Sequence, residues 1–189
     1  GAASSGFLQF PPNFTRQREG RTLARFLDWL APQLQGIRLA VEVRAADLMT
    51  PAFAAFLAQR GMALVLVDRV GTPDLAPLWT PLLEQGKAPG FVHVRLIGDD
   101  RNKPPTNREL CRPQEAKLDL WAQRVAEWLH QGLEVAIYVH NPFEGHSPAT
   151  VRRLRQRIHQ QHPLPDWSPT PPAPPSRKDE PPPGQLSLF

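Results

Sequence analysis

Cysteine is nearly absent from this chain. Cys111 is the only one, which excludes an intrachain disulfide and a cysteine-based zinc site and fits a reducing cytoplasm. No apolar run reaches the length of a membrane span. No tight ligand spacing such as His-Glu-x-x-His occurs, so His93, His140, His146 and Glu144 are read as holding no metal, and no cofactor is expected. No glycine-rich phosphate fingerprint follows any strand, which argues against a dinucleotide-binding sheet. Charge is balanced rather than one-sided: 22 Lys+Arg stand against 18 Asp+Glu, a formal net charge of +4. That excess permits an anionic partner without demanding one. The first residues, Gly-Ala-Ala-Ser-Ser-Gly, have neither Met nor a basic signal region and read as a boundary within a longer protein or one introduced artificially.

Proline, in contrast, is abundant. There are 23 in 189 residues, ten of them between Pro163 and Pro183, so composition shifts sharply near residue 162. Before that point, short β-branched apolar runs alternate with amphipathic segments. Strands are expected at 6–10, 39–43, 63–67, 91–96 and 134–139. Helical spacing is read over 19–34, with Leu23, Phe26, Leu27, Leu30 and Leu34 on one side. Thr50-Pro51 starts a helix to about residue 59, with Thr as cap and Pro at the first position. Thr72-Pro73 reads as a second such start, leading into a short helix or loop. The longest helix is expected over 113–131, where the spacing of Trp121 and Trp128 marks a core face rather than a stacking platform. A basic helix follows at 147–161, with Val151, Leu154 and Ile158 inward. Residues 99–112 are polar and irregular. Five strand–helix units imply parallel strands covered by helices, an α/β class. They fit either an open doubly wound sheet or part of an eight-stranded barrel.

The polar residues fall at strand ends. Glu42 and Arg44 share one face of the second strand. Asp68 closes the third, Arg95 the fourth, and His140 and Asn141 the fifth. Carboxyl ends of parallel strands converge on one rim, where α/β proteins place their sites. Glu42 and Asp68 are the candidate catalytic carboxylates. Gln9, Arg44, Arg95, His140 and Asn141 are candidate anion ligands, because rim arginines suit phosphate through paired contacts. Nearby arginines favour an ionised carboxylate, which fits an anion site better than a hydrolytic dyad. The plainer reading is that these charges are structural ion pairs tying the mouth.

Several segments together resemble a known family. Phe7-Leu8-Gln9-Phe10-Pro11-Pro12 is similar to its "LFQLPP" segment, and Val41-Glu42-Val43-Arg44 to its "VEFR" strand. Val94-Arg95-Leu96-Ile97-Gly98 is similar to "VRLHG", and Tyr138 through His146 to a "YFNN…G" segment. The family is the YecE-like proteins, domain-of-unknown-function family number seventy-two. The resemblance implies a TIM-type barrel with about five of eight β-α units present, lacking the first strands. Ile97 stands where many members have His, and His140 where many have Asn. The family brings no established reaction.

Residues 1–162 are thus read as a partial barrel domain, 163–184 as a disordered Pro-rich linker and 185–189 as a binding peptide. Gln185, Leu186, Leu188 and Phe189 match the bacterial sliding-clamp motif, in which the leucine and phenylalanine fill an apolar pocket. Arg152, Arg153, Arg155 and Arg157 form either a solvated basic face or a contact to DNA phosphates. Three functions remain open: a clamp-tethered protein acting on or near DNA, a small-molecule TIM-type enzyme with an incidental tail, and a non-catalytic adaptor.

Overall fold

The structure, a computed structural model, describes residues 5–166. Its strands are β1 (Ser5–Phe10), β2 (Arg38–Val43), β3 (Ala63–Arg69), β4 (Phe91–Gly98) and β5 (Glu134–Val139). They form one parallel sheet in the order β1-β2-β3-β4-β5. The sheet curves as half of a barrel, so the α/β expectation holds. The helices are α1 (Arg16–Leu30), α2 (Pro51–Ala58), α3 (Ala76–Glu84), α4 (Glu115–His130), α5 (Asn141–Glu144) and α6 (Ser147–Gln161). Every crossover is therefore strand, helix, strand, which is what parallel neighbours require.

Local chemistry sets the helix starts. Thr15 accepts a hydrogen bond from the Arg18 amide at 3.2 Å, while Glu19 reaches back to the Thr15 amide at 3.0 Å. This reciprocal pair works as a capping box does, with the glutamate one position later than in the S/T-x-x-E form, and it starts α1 at Arg16 rather than at residue 19. The α-helix stops at Leu30; Pro32 lies in the 3-10 turn that follows. Thr50 caps α2 as expected, with Pro51 at its first position. The second Thr-Pro pair leads into a loop, with a short helix after it. There Asp74 accepts from the Ala76 amide at 3.0 Å, and α3 begins at Ala76.

The central strands are buried on both faces for most of their length, and β4 is buried throughout. Burial alternates along β1, where the sheet has an edge. Leu118, Trp121, Val125 and Trp128 of α4 are all buried, as their spacing predicts. Two assignments need correction. Phe26 is 38% exposed and stacks on Trp29 at the surface, leaving Leu23 and Leu27 to make the buried contact of α1. Val151 is 45% exposed, because α6 packs mainly on α4 through Leu154 and Ile158 and its next turn faces the edge beside β5. Leu164, just inside the expected linker, packs against the core. The rest of that linker from residue 167 and the peptide 185–189 lie outside the described residues. Among the described residues no helix is long and apolar enough to cross a membrane.

One glycine fixes how the fourth and fifth units meet. Gly98 has φ 74°, and a Cβ there would lie 2.4 Å from the Phe143 Cα. Both the backbone conformation and the close approach call for glycine. The end of β4 thus lies directly against α5, next to His140.

Candidate functional site at the strand ends

Parallel register brings the strand-end residues together. Gln9 pairs with Glu42 across β1 and β2, and Arg95 with Tyr138 across β4 and β5. Glu42 is fully buried, and its carboxylate is held from two sides. Arg44 donates through Nε at 3.0 Å, and Arg95 donates through Nη1 to the other oxygen. Arg95 also donates to Gln9 Oε1 at 3.0 Å, and Arg44 approaches the same oxygen at 3.4 Å. One carboxylate between two guanidinium groups leaves one positive charge in excess. Arg95 is only 7% exposed, and its Nε has no partner. The Arg44 side chain is 23% exposed and reaches solvent.

His140 completes the cluster. Its Nε2 lies 2.9 Å from Arg95 Nη2. A guanidinium only donates, so this nitrogen is the acceptor of a neutral imidazole. The pKa agrees: burial first, then the Arg95 charge, lowers it from the ordinary histidine value, against a smaller opposing effect of Glu42. Gln9, Glu42, Arg44, Arg95 and His140 therefore form one connected group. The ion pairs of the plainer reading are real, and they carry the excess charge that an anion site needs.

Two candidates fall elsewhere. Asp68 projects to the helix side of the sheet. There it binds Lys117 Nζ at 2.5 Å and Trp121 Nε1 at 2.9 Å, both from α4. Its carboxylate anchors α4 on β3, on the face away from Glu42. Asn141 accepts through Oδ1 from the Ser147 amide at 2.9 Å and the Ser147 hydroxyl at 2.6 Å. It ties α5 to the start of α6, and its side-chain oxygen is spent there rather than on the mouth cluster.

The basic face of α6 is partly committed too. Arg153 binds Glu144 at 2.5 Å and also Glu115, while Arg157 binds Asp119 at 2.7 Å and also Glu115. Arg155 donates to the Pro165 carbonyl, and Arg152 is exposed. Two of the four arginines are thus neutralised by α4 and Glu144.

Other residues at this end had no strong sequence signal. Arg69 binds Asp100 at 3.0 Å, and this hydrogen bond is the main cause holding the Asp100 carboxyl below its usual value. Buried Glu144 pins the irregular segment. Its carbonyl accepts from the Cys111 and Arg112 amides, and its side chain accepts from the Gln114 amide at 2.7 Å. Beneath the arginines, three rings gather on one face: His93 lies 5.3 Å from Phe7 and 4.9 Å from Tyr138 between centroids. Among the described residues, no three His, Cys, Asp or Glu side chains come together to hold a metal ion.

Comparison with known proteins places this geometry in a family. No curated protein matches the chain. Among solved structures, a DUF72 family protein from Thermotoga maritima is similar at 18% identity and a TM-score of 0.58, over 82% of this chain and 58% of that one. A DUF72 family protein from Enterococcus faecalis is similar at 16% identity and a TM-score of 0.60, again over 82% of this chain and 58% of that one. The chain therefore spans under two thirds of the length of these structures, and the likeness is one of fold. The family model for "Protein of unknown function DUF72" matches residues 2–176, most of the sequence. The chain belongs to the DUF72 family.

Proposed function

We propose that the strand-end cluster binds a phosphate-bearing ligand and that residues 185–189 tether the protein to the bacterial sliding clamp, so that it acts on or near DNA. One observation carries the first half. Arg44 and Arg95 both grip buried Glu42, leaving a net positive charge at the open end of a parallel sheet. Low-dielectric walls strengthen such a charge for an incoming anion, and guanidinium groups match phosphate oxygens in pairs. The connected Gln9 and His140 hold the guanidinium groups in place before any ligand arrives. The second half is supported by the sequence Gln185-Leu186-Ser187-Leu188-Phe189, which follows a proline-rich stretch able to give it reach. The tether supplies DNA as the source of the phosphate.

The test is titration of the full chain against a bacterial sliding clamp, with and without residues 185–189. Micromolar binding that disappears on deletion is expected. Absence of binding, or equal binding by both proteins, would remove the tether and return the site to a small-molecule ligand.

A further inference from the structure

The inner face of the sheet carries a second layer that the anion site does not use. Counting back two residues from the mouth on three strands gives Phe7 below Gln9, His93 below Arg95 and Tyr138 below His140. Each strand presents a polar group at the mouth and a ring beneath it. Phe7 and Tyr138 are 36% and 43% exposed, whereas His93 under them is 1% exposed. His93 and Tyr138 are stacked, with 15° between their planes, and the Arg95 guanidinium lies 4.6 Å from the Phe7 ring centre. Neither ring nitrogen of His93 has a partner, and neither has Arg95 Nε. Buried polar atoms are seldom left so in a folded protein, and each calls for an explanation.

We propose that this face takes an unpaired nucleotide, with its phosphate on Arg44 and Arg95 and its base stacked against Tyr138 and Phe7. The proposal rests on the anion-site reading and names the other half of that ligand. Exposed rings beside fixed cations are the combination that holds single-stranded nucleic acid: the cations track the backbone and the rings stack on bases of any sequence. A duplex cannot use the rings, because its bases are already stacked on one another and show only their edges. The location fits the charge as well. Arg153 and Arg157 of α6 are occupied by Glu144, Glu115 and Asp119, whereas the mouth keeps its excess charge.

The experiment measures binding of the full chain to an oligo-dT of about ten nucleotides, within the usual site sizes for such contacts, to a duplex of the same length, and to inorganic pyrophosphate. The single strand should bind more tightly than the duplex. Tyr138→Ala should weaken oligo-dT binding about tenfold and leave pyrophosphate binding unchanged. Tyr138→Phe should keep the affinity. Tyr138→Leu covers His93 with an apolar side chain but removes the ring, and should lose as much as Tyr138→Ala, which separates stacking from misfolding. Arg44→Ala should weaken both ligands. Unchanged oligo-dT binding in Tyr138→Ala and Tyr138→Leu overturns the nucleotide proposal, and so does equal binding of duplex and single strand. If pyrophosphate still binds through Arg44 in those cases, the anion site survives. Failure of pyrophosphate to bind removes the anion site itself.

Discussion

Glu42→Ala is expected to destabilise the protein by about 3–5 kcal/mol, the range found when one partner of a buried ion pair is removed. The size of the effect comes from what stays behind. Arg44 is partly exposed and can turn into solvent when its carboxylate is lost. Arg95 is 7% exposed, is fixed by Gln9 and His140, and would keep a buried charge with no counter-charge. An arginine cannot shed its proton to escape that cost. Glu42→Gln keeps the shape and one acceptor oxygen, so it should cost less, on the order of 1–3 kcal/mol. The double variant Glu42→Leu with Arg95→Met removes both charges together and should recover much of the loss, because apolar replacement of a buried pair is often neutral or stabilising. Urea midpoints of the variants give the ranking. A Glu42→Ala protein as stable as the double variant would mean that the pair is solvated and that the mouth is not the low-dielectric site described above.

The second large effect is loss of stability in acid through His93. Its pKa is lowered from 6.5 to about 4, first by burial and then by the Arg95 charge, against a weaker opposing effect of Glu42. The unfolded chain takes up a proton near the ordinary histidine value, while the folded one holds the ring neutral down to about pH 4. Stability is therefore undiminished above the unfolded value and falls as the pH drops from about 6.5 to about 4, then levels off for this group. The full difference is about 3 kcal/mol, since each unit of pKa corresponds to about 1.4 kcal/mol. His140 shifts in the same direction. The lowered Asp100 carboxyl adds its own acid sensitivity at still lower pH. Comparison with His93→Gln isolates the His93 part: the variant should lose less stability between neutral pH and about pH 4. Parallel losses in the two proteins would mean that His93 takes up its proton in the fold.

The strands were legible because their apolar β-branched runs are short and bounded, and the Thr50-Pro51 cap signal is local. The Glu42–Arg44 alternation also gave a correct phase, since two charges two residues apart in a buried strand must share a face. Asp68 shows why that logic failed next door. Val65, Leu66 and Val67 ahead of it are apolar and buried on both sides of the sheet. Such a run offers no alternation from which to tell which way its last residue points, and the answer came from Lys117 and Trp121, about fifty residues later. Asn141 carries a second local signal. An Asn before Pro and close to a following helix start is also an ordinary backbone-binding residue. The α6 ion pairs have no local signal, because Glu115 and Asp119 lie nearly forty residues from Arg153 and Arg157 in sequence. The layer of Phe7, His93 and Tyr138 depends on the register of three strands, which no single segment encodes.

The claim on which the rest depends is that the mouth of the half-barrel is an anion site built on Arg44, Arg95 and Glu42. Calorimetric titration of the full chain with inorganic pyrophosphate tests it most directly, alongside Arg44→Ala and Arg152→Ala proteins. Saturable binding to one site is expected, weakened about tenfold by Arg44→Ala, the loss expected for one charge-assisted contact, and unchanged by Arg152→Ala. Binding that is indifferent to Arg44, or lost with Arg152, would contradict it and move the anion to the α6 face.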